Sequence, residues 1–260
     1  MRDYHESLFL SAAVILVLLC HTASASADVI TLKVSGAFRT PIRRMLPAFE
    51  KKTGHKVNVT YPAGPLTKLS VTKGEPFDVA IVQPPFQEML ASGNVVASSQ
   101  TPLPDVPFGV AVRKGAPKPD ISTPEAVKRL LLTTKSIAVA TGDTTAAVIR
   151  LRELLKNLGM TEDSIKSKFV PPVPGDGSGS VVTVASGKAE ISLSFVTNIT
   201  ENPGADVVGP LPRSISTPTA HAAFRSVHTK VPEAARALLN FFSSPEAAAA
   251  YKASAIEPLR

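Results

Sequence analysis

The segment from Ile30 to Val59 constrains the fold most, because it predicts a strand, a helix and a second strand in direct succession. Alternating apolar residues from Ile30 to Val34 predict the first strand. The turn Ser35-Gly36-Ala37 has little side-chain bulk, and Thr40 is the candidate N-cap of the helix that follows. Gly54 predicts the end of that helix. The chain therefore opens with a βαβ unit.

A βαβ unit places its first turn at the N-terminus of a helix. Backbone N–H groups there have no partner within the helix, and the helix dipole adds positive potential. Both effects favour an anion. The turn from Ser35 to Arg39 is thus the first candidate ligand loop.

Strand and helix patterns alternate along the rest of the chain, which predicts an α/β fold with parallel-rich sheets. Residues 101–107, which contain three prolines, and residues 216–220, which contain Pro218, interrupt this alternation and predict two crossings between two lobes. We expect residues 28–107 with 220–260 to form one lobe and residues 108–219 the other. A ligand cleft lies between the lobes in this prediction.

The loops that follow the strands should converge on that cleft, since ligands of such sheets bind beyond the carboxyl ends of the strands. The predicted ligand-binding residues are Ser35, Gly36, Ala37, Arg39, Ala63, Gly64, Thr144, Thr145, Gly177, Ser178 and Phe195. A guanidinium at Arg39 can hold a carboxylate in a two-pronged pair, or it is a solvated surface charge. The threonines are hydroxyl donors or ordinary helix caps. The glycine-rich loop around Gly177 is an N–H nest or a flexible connector.

Charge and composition narrow the class of ligand. The first 27 residues hold one basic and two acidic residues, so residues 28–260 carry 27 basic and 19 acidic residues, a net charge of +8. The basic residues are dispersed and aromatic residues make up 5% of the chain, which argues against a nucleic-acid surface built on base stacking. A basic surface or an anionic ligand explains the charge equally well.

The histidines show no metal-ligand spacing, and no nucleophile motif stands in a recognisable context. We expect neither a metal nor another cofactor. We also expect a protein that binds its ligand without chemical conversion.

The N-terminus predicts export. Leu8 to Leu19 is apolar, and Ala25-Ser26-Ala27 fits a cleavage site before Asp28, so residues 1–27 are the predicted signal peptide and the periplasm is the predicted location. This stretch of twelve residues, eleven of them apolar, is too short for a bilayer span, which needs roughly twenty. Cys20 follows Leu19 rather than a small residue, so a lipoprotein anchor is the less favoured alternative. Cleavage after Ala27 leaves a chain without cysteine.

A series of short motifs follows in one order along the chain. They are Gly74-Glu75-Pro76-Phe77-Asp78-Val79, Val110-Ala111-Val112-Arg113-Lys114-Gly115, Ile121-Ser122-Thr123-Pro124-Glu125-Ala126, Gly187-Lys188-Ala189-Glu190-Ile191, Val208-Gly209-Pro210-Leu211-Pro212 and Ser244-Pro245-Glu246-Ala247. Together with the βαβ opening, this series resembles the periplasmic molybdate-binding-like proteins, the extracellular solute-binding subunits of ABC importers. The resemblance implies a type II periplasmic-binding-protein fold, a monomer, hinge closure on a small anion and delivery to an ABC permease in the inner membrane.

Three departures from that family bear on the ligand. Ala37 stands where the molybdate-binding relatives carry a ligand serine, the turn from Tyr61 to Pro65 lacks serine and threonine, and Phe195 replaces a ligand tyrosine. A hydrogen bond to a charged partner contributes about 1.5–3 kcal/mol, so the loss of three such donors disfavours a bare oxyanion. We therefore expect a small organic carboxylate, with molybdate or tungstate as the alternative. An exported enzyme and a signalling receptor module are the alternative classes.

Overall fold

The computed structural model describes residues 27–62, 64–140, 145–173 and 178–259. The strands are β1 Val29–Val34, β2 Lys56–Thr60, β3 Val79–Val82, β4 Thr101–Val106, β5 Phe108–Arg113, β6 Ile137–Ala138, β7 Phe169–Val170, β8 Ile191–Phe195, β9 Ala205–Pro210 and β10 Thr219–Arg225. The helices are α1 Arg39–Thr53, α2 Gly64–Thr72, α3 Gln87–Ala91, α4 Pro124–Thr133, α5 Ala146–Asn157, α6 Gly179–Ala185, α7 Val196–Glu201, α8 Pro232–Phe241 and α9 Pro245–Ala253. Residues 1–26 of the predicted signal peptide lie outside the described residues.

The strands form two five-stranded sheets. The first has the order β2-β1-β3-β10-β4 and the second the order β7-β6-β8-β5-β9. We call the part of the chain built on the first sheet the first lobe and the part built on the second sheet the second lobe. The predicted α/β architecture with two lobes is confirmed.

Each sheet is parallel except for one reversed strand. β1 is parallel to β2 and β3, and β6 is parallel to β7 and β8. β10 runs antiparallel to both its neighbours, as does β5 in the other sheet. These two strands are the first that the chain enters after each passage between the sheets. The reversal therefore marks the two crossings.

The first passage is shorter than the sequence suggests. We expected the proline-containing stretch from Thr101 to Pro107 to be a connection, but Thr101–Val106 is strand β4 and pairs with β10. Proline tolerates this position because β4 lies at the edge of its sheet. Pro107 alone then separates β4 from β5.

The start of α1 also differs from the prediction. The helix begins at Arg39 after a short 3₁₀ segment, Gly36–Phe38, so Thr40 lies within its first turn and is not the N-cap. The predicted end is correct, since Gly54 has a φ of 77° and its N–H donates to the Glu50 carbonyl. Only glycine adopts this left-handed conformation without steric cost.

The central strands carry the core. All four residues of β3 and all five residues of β8 are buried, as expected for parallel strands covered by helices on both faces. Phe38, Phe49, Phe108 and Phe224 are among the largest fully buried side chains. Each such side chain contributes roughly 1.5–3 kcal/mol when it leaves water. These buried side chains stabilise the two sheets, and the loops at the strand ends are then the places where functional residues can lie.

Candidate ligand-binding cleft

The carboxyl ends of the parallel strands in the two lobes face one another. In the first lobe β1 leads into residues 35–38 and β3 leads into Gln83. In the second lobe β8 leads directly into α7. The Thr197 hydroxyl of α7 donates to the carbonyl oxygen of Ala37 at 2.7 Å, so the two sets of strand ends are in contact. The turn after β1 and the start of α7 are therefore in contact.

The turn after β1 is enclosed. Ser35, Ala37 and Arg39 are 1%, 4% and 5% exposed. The Ser35 N–H donates to the Ile81 carbonyl at 3.0 Å, which ties the turn to the adjacent strand. Among the described residues, the Ser35 hydroxyl has no hydrogen-bond partner. A buried hydroxyl without a partner is costly, so this atom is suited to a ligand.

Arg39 lies over an aromatic ring. Its guanidinium carbon is 5.1 Å from the centroid of the Tyr61 ring, and that of Arg43 is 5.5 Å from the same centroid. A cation over an aromatic face is attracted by the ring quadrupole. Burial raises the pKa of the Tyr61 hydroxyl, and the two guanidinium groups act in the opposite direction. The tyrosine thus holds two positive charges beside the turn.

Helix α7 of the second lobe covers the beginning of α1 in the first. The Thr40 hydroxyl contacts the Glu201 carboxylate at 3.2 Å, and Arg43 forms an ion pair with the same carboxylate. An Arg44 N–H donates to the Thr200 carbonyl at 2.9 Å. These contacts and the Thr197 bond join the lobes on one side of the cleft. We call this set of contacts the α1–α7 bridge.

A cavity of about 290 Å³ lies between the two lobes. It is bounded by α2 and the end of β3 in the first lobe and by α5 in the second. Its lining residues are Pro65, Lys68, Gln83, Pro84, Ala146, Ile149, Arg150 and Glu153. Both lobes therefore contribute to one hollow.

Among the described residues, three side chains contribute charge to this cavity. Lys68 belongs to the first lobe, and its ammonium group donates to the Pro85 carbonyl at 3.1 Å. Arg150 and Glu153 belong to the second lobe and form an ion pair at 2.5 Å. Two cations and one carboxylate leave an excess of one positive charge. The cavity accordingly suits an anion.

Behind Gln83 lies a fully buried imidazole. The His221 ring is 5.0 Å from the Phe38 ring, and its Nδ1 is 2.9 Å from the Thr219 carbonyl. Burial, with a smaller contribution from the charge of Arg150, lowers the pKa of His221 to about 3, against the hydrogen bond to Thr219, which raises it. The imidazole is therefore neutral at physiological pH.

The tautomer of His221 follows from its partners. A carbonyl only accepts, so Nδ1 carries the proton that it donates to Thr219. Nε2 is then an acceptor, and it takes an N–H from the Gln83 amide at 3.2 Å. This contact fixes which end of the amide is nitrogen. One N–H of Gln83 and its carbonyl oxygen are left for the cavity.

The other predicted site residues have varied surroundings. The Thr145 hydroxyl accepts from the Val148 N–H at 3.4 Å and so serves as the N-cap of α5. Ser178 is at the N-cap position of α6, and Gly64 is the first residue of α2. Phe195 is buried, with its ring 5.5 Å from that of Phe108. The predicted residues Ala63, Thr144 and Gly177 lie outside the described residues.

Sequence reasoning missed most of the cavity. Gln83 directly follows the buried strand β3, and this position at a strand end was the available signal. Lys68 and Arg150 carry ordinary helix-surface patterns, so nothing local distinguishes them. His221 interrupts an otherwise apolar strand, Ala220 to Phe224, and this break in the pattern was the available signal.

Within residues 27–62, 64–140, 145–173 and 178–259, no cluster of three or more His, Cys, Asp or Glu side chains could hold a metal ion. Across the same ranges no helix has the length and apolar character that a bilayer span requires.

The chain is similar to several known proteins. Residues 30–254 match the family model described as bacterial extracellular solute-binding protein. An aconitate isomerase from a Pseudomonas species is 32% identical over 244 residues, covering 91% of this chain and 90% of the relative. The periplasmic molybdate-binding protein of Azotobacter vinelandii superposes with a TM-score of 0.69 at 16% identity, over 89% of this chain and all of that one.

The sulfate-binding protein SubI of Mycobacterium tuberculosis superposes with a TM-score of 0.67 at 18% identity, over 89% of this chain and 87% of that one. At these identities the two structural likenesses establish the fold alone. They identify it as that of the periplasmic binding proteins, as the resemblance of the motifs implied.

Proposed function

Because this chain belongs to the bacterial extracellular solute-binding proteins, we propose that it is an exported protein that binds a small organic carboxylate between its two lobes. Residues 1–27 are a signal peptide that is cleaved before Asp28. Residues 28–107 with 220–260 move as one body and residues 108–219 as the other. The monomeric protein delivers its ligand to an ABC permease.

The cavity of about 290 Å³ between α2, the end of β3 and α5 is the observation that carries this proposal. A water molecule occupies about 30 Å³ in the liquid, so the cavity has room for a ligand the size of roughly ten waters. A tetrahedral oxyanion of five heavy atoms would leave most of that space unfilled. An organic acid of ten or more heavy atoms fits better.

The side chains of the turn after β1 also support a carboxylate ligand. Arg39 is held against Tyr61 by its stacking contact, and a planar guanidinium matches the two oxygens of a carboxylate. The Ser35 hydroxyl lies in the same turn and can donate to a bound carboxylate. A site for molybdate or tungstate, the alternative ligands, would call for more hydroxyl donors than this turn contains.

The aconitate isomerase relative supports an organic acid and also favours a second candidate function. Aconitate is an unsaturated tricarboxylate, so the second candidate is isomerisation of such a ligand in the same cleft. A double-bond isomerisation by proton transfer needs a group that takes a proton and one that gives it back. Glu153 and Lys68 are the titratable groups of the cavity that can do so. His221 is less suited, since both its ring nitrogens are engaged.

A thermal-shift panel tests the binding proposal. A ligand present at about 100 times its Kd stabilises the folded state by about 2.7 kcal/mol, which for a chain of this size raises Tm by roughly 5–10 °C. We expect this rise with cis-aconitate, citrate or tricarballylate. Molybdate, tungstate and sulfate should leave Tm unchanged. A rise with molybdate alone would refute the carboxylate proposal.

Proton NMR of cis-aconitate incubated with the protein separates the two candidate functions. Conversion to the trans isomer, abolished by Glu153→Gln, would establish the isomerase. Binding without conversion over a day would leave the transport role alone. The Glu162→Gln variant is the matched control, because Glu162 lies outside the cavity and pairs with Arg152.

A further inference from the structure

We propose that Lys68 and Arg150 form a carboxylate subsite shared by the two lobes, separate from Arg39, so that the ligand is a polycarboxylate. This inference rests on the proposed function and specifies the chemical class of its ligand. Neither cation was among the residues that the sequence or the family resemblance indicated.

The two cations reach the same cavity from opposite sides. Lys68 projects from α2 of the first lobe and Arg150 from α5 of the second, and both line the cavity with Gln83. An anion between them would be bound by both lobes at once. Its affinity would then depend on the lobes being together, which couples binding to closure.

Arg150 has more N–H donors than the Glu153 carboxylate engages. The Glu153 carboxylate engages its Nη1, while a guanidinium has five N–H donors in all. Glu153 thus positions the guanidinium without exhausting it. The guanidinium lines the same cavity as Gln83 of the first lobe, whose amide contacts His221.

Gln83 completes the subsite as a neutral donor. His221 takes one amide N–H at 3.2 Å and leaves the second for a ligand oxygen. Because the imidazole is tied to the Thr219 carbonyl, the amide has a fixed orientation. A carboxylate in the cavity would meet two cations and one oriented N–H.

The distance between the two anchors sets the size of the ligand. Arg39 lies against Tyr61, which follows β2, whereas Gln83 follows β3 and His221 lies in β10. Since adjacent strands are about 4.8 Å apart, and β2 is two positions from β3 and three from β10, the strands that carry the two anchors are separated by roughly 10–14 Å. Two carboxylates at the ends of a five-carbon chain lie roughly 5 Å apart, and a hydrogen bond of about 2.9 Å at each end extends this to roughly 11 Å between donor atoms. A monocarboxylate has one charged group and can pair with only one of the two anchors.

Calorimetric titration with tricarballylate tests the subsite, since this saturated tricarboxylate has no double bond to isomerise. Arg150→Gln and Lys68→Gln should each weaken its binding about 10- to 100-fold. The matched controls are Arg152→Gln on the same helix and Lys73→Gln at the end of α2, and both should bind like the wild type. Lys68 and Arg150 lie in different lobes. If one of the two variants fails to fold, the other still tests the subsite.

A comparison of glutarate with its monoamide tests how the affinity depends on the charge of the ligand. Glutarate and its monoamide have nearly the same shape and differ by one negative charge. The wild type should prefer glutarate at least tenfold, and the preference should shrink in Arg150→Gln.

The outcomes separate the two proposals. Wild-type binding that neither substitution weakens would overturn the subsite and leave the proposed function standing. A wild-type protein that binds none of these carboxylates would overturn both.

Discussion

At the scale of single residues, the structure distinguishes between the two predicted environments of Arg39. The sequence offered a choice between a ligand contact and a solvated surface charge. Arg39 is 5% exposed and stacked on Tyr61, so it is not solvated. Its role in ligand binding remains a prediction.

Arg39→Ala should weaken tricarballylate binding about 10- to 100-fold, because a charge-assisted hydrogen bond contributes roughly 1.5–3 kcal/mol. Arg39→Lys should recover part of the loss, as it restores the charge but not the planar fork. Isothermal titration calorimetry measures both. The control is Arg236→Ala, which removes an exposed guanidinium on α8 that pairs with Glu233. An affinity that Arg39→Ala leaves unchanged excludes the residue from the site.

His221 gives the protein a specific dependence of stability on pH. Its pKa is lowered from 6.5 to about 3 in the folded state, chiefly by burial. Between these values the unfolded chain binds a proton that the folded chain does not. The free energy of unfolding therefore falls as pH drops below 6.5, by up to about 1.4 kcal/mol per pH unit.

His221→Gln should flatten this dependence between pH 6.5 and pH 4.5, although it lowers stability at pH 7 through the lost contacts with Phe38 and Thr219. Urea unfolding at several pH values provides the measurement. His228→Gln is the control, since His228 is exposed, and its slope should match that of the wild type. Equal slopes for the wild type and His221→Gln would show that burial of His221 does not govern this pH range.

At the scale of elements, the α1–α7 bridge is the main contact between the lobes outside the cavity. Thr197 is fully buried and donates to the Ala37 carbonyl, while Thr40 and Arg43 share the Glu201 carboxylate. The bridge holds the turn after β1 through the bond from Thr197 to the Ala37 carbonyl. A rigid turn is better suited than a mobile one to hold Ser35 and Arg39 for a ligand.

Thr197→Val should lower the free energy of unfolding by about 1–3 kcal/mol, because it keeps the shape of the side chain and leaves a buried carbonyl without its donor. The urea midpoint of the purified variant reports this loss. Thr133→Val is the control: its hydroxyl bonds to the Arg129 carbonyl at the exposed end of α4, and its effect should stay within about 0.5 kcal/mol. Equal midpoints for the two variants would contradict a stabilising role for the bridge.

Elements were the part of the structure that local sequence predicted best. The end of α1 at Gly54 and the N-caps of α4 and α9 follow from single residues, Thr123 and Ser244. The start of α1 was wrong, because a 3₁₀ segment precedes it and Thr40 contacts Glu201, 161 positions away. A local capping rule has no access to a partner so distant.

At the scale of the whole molecule, the two lobes enclose a cavity whose cations come from both sides. An anion between Lys68 and Arg150 would draw the lobes together. The α1–α7 bridge also joins the lobes, so we expect closure to be a rotation about that bridge and the two crossings.

Tricarballylate should therefore reduce the radius of gyration of the wild-type protein in solution. Small-angle X-ray scattering with and without ligand measures the change. Arg150→Gln, at a ligand concentration that saturates it, should show a smaller reduction because one of the two lobes lacks its cation. An unchanged radius of gyration in the saturated wild type would rule out ligand-linked closure.

The sequence by itself determined the α/β class, the alternation of strands and helices, the two lobes and the βαβ opening, because periodicity and turn residues act over a few neighbouring positions. Only the tertiary structure decided that Lys68, Gln83 and Arg150 share a cavity and that α7 covers the turn after β1. These residues are brought together by the order of strands in two sheets and by the passages between them. The distances between these residues depend on the packing of the whole chain, so local sequence patterns do not predict them.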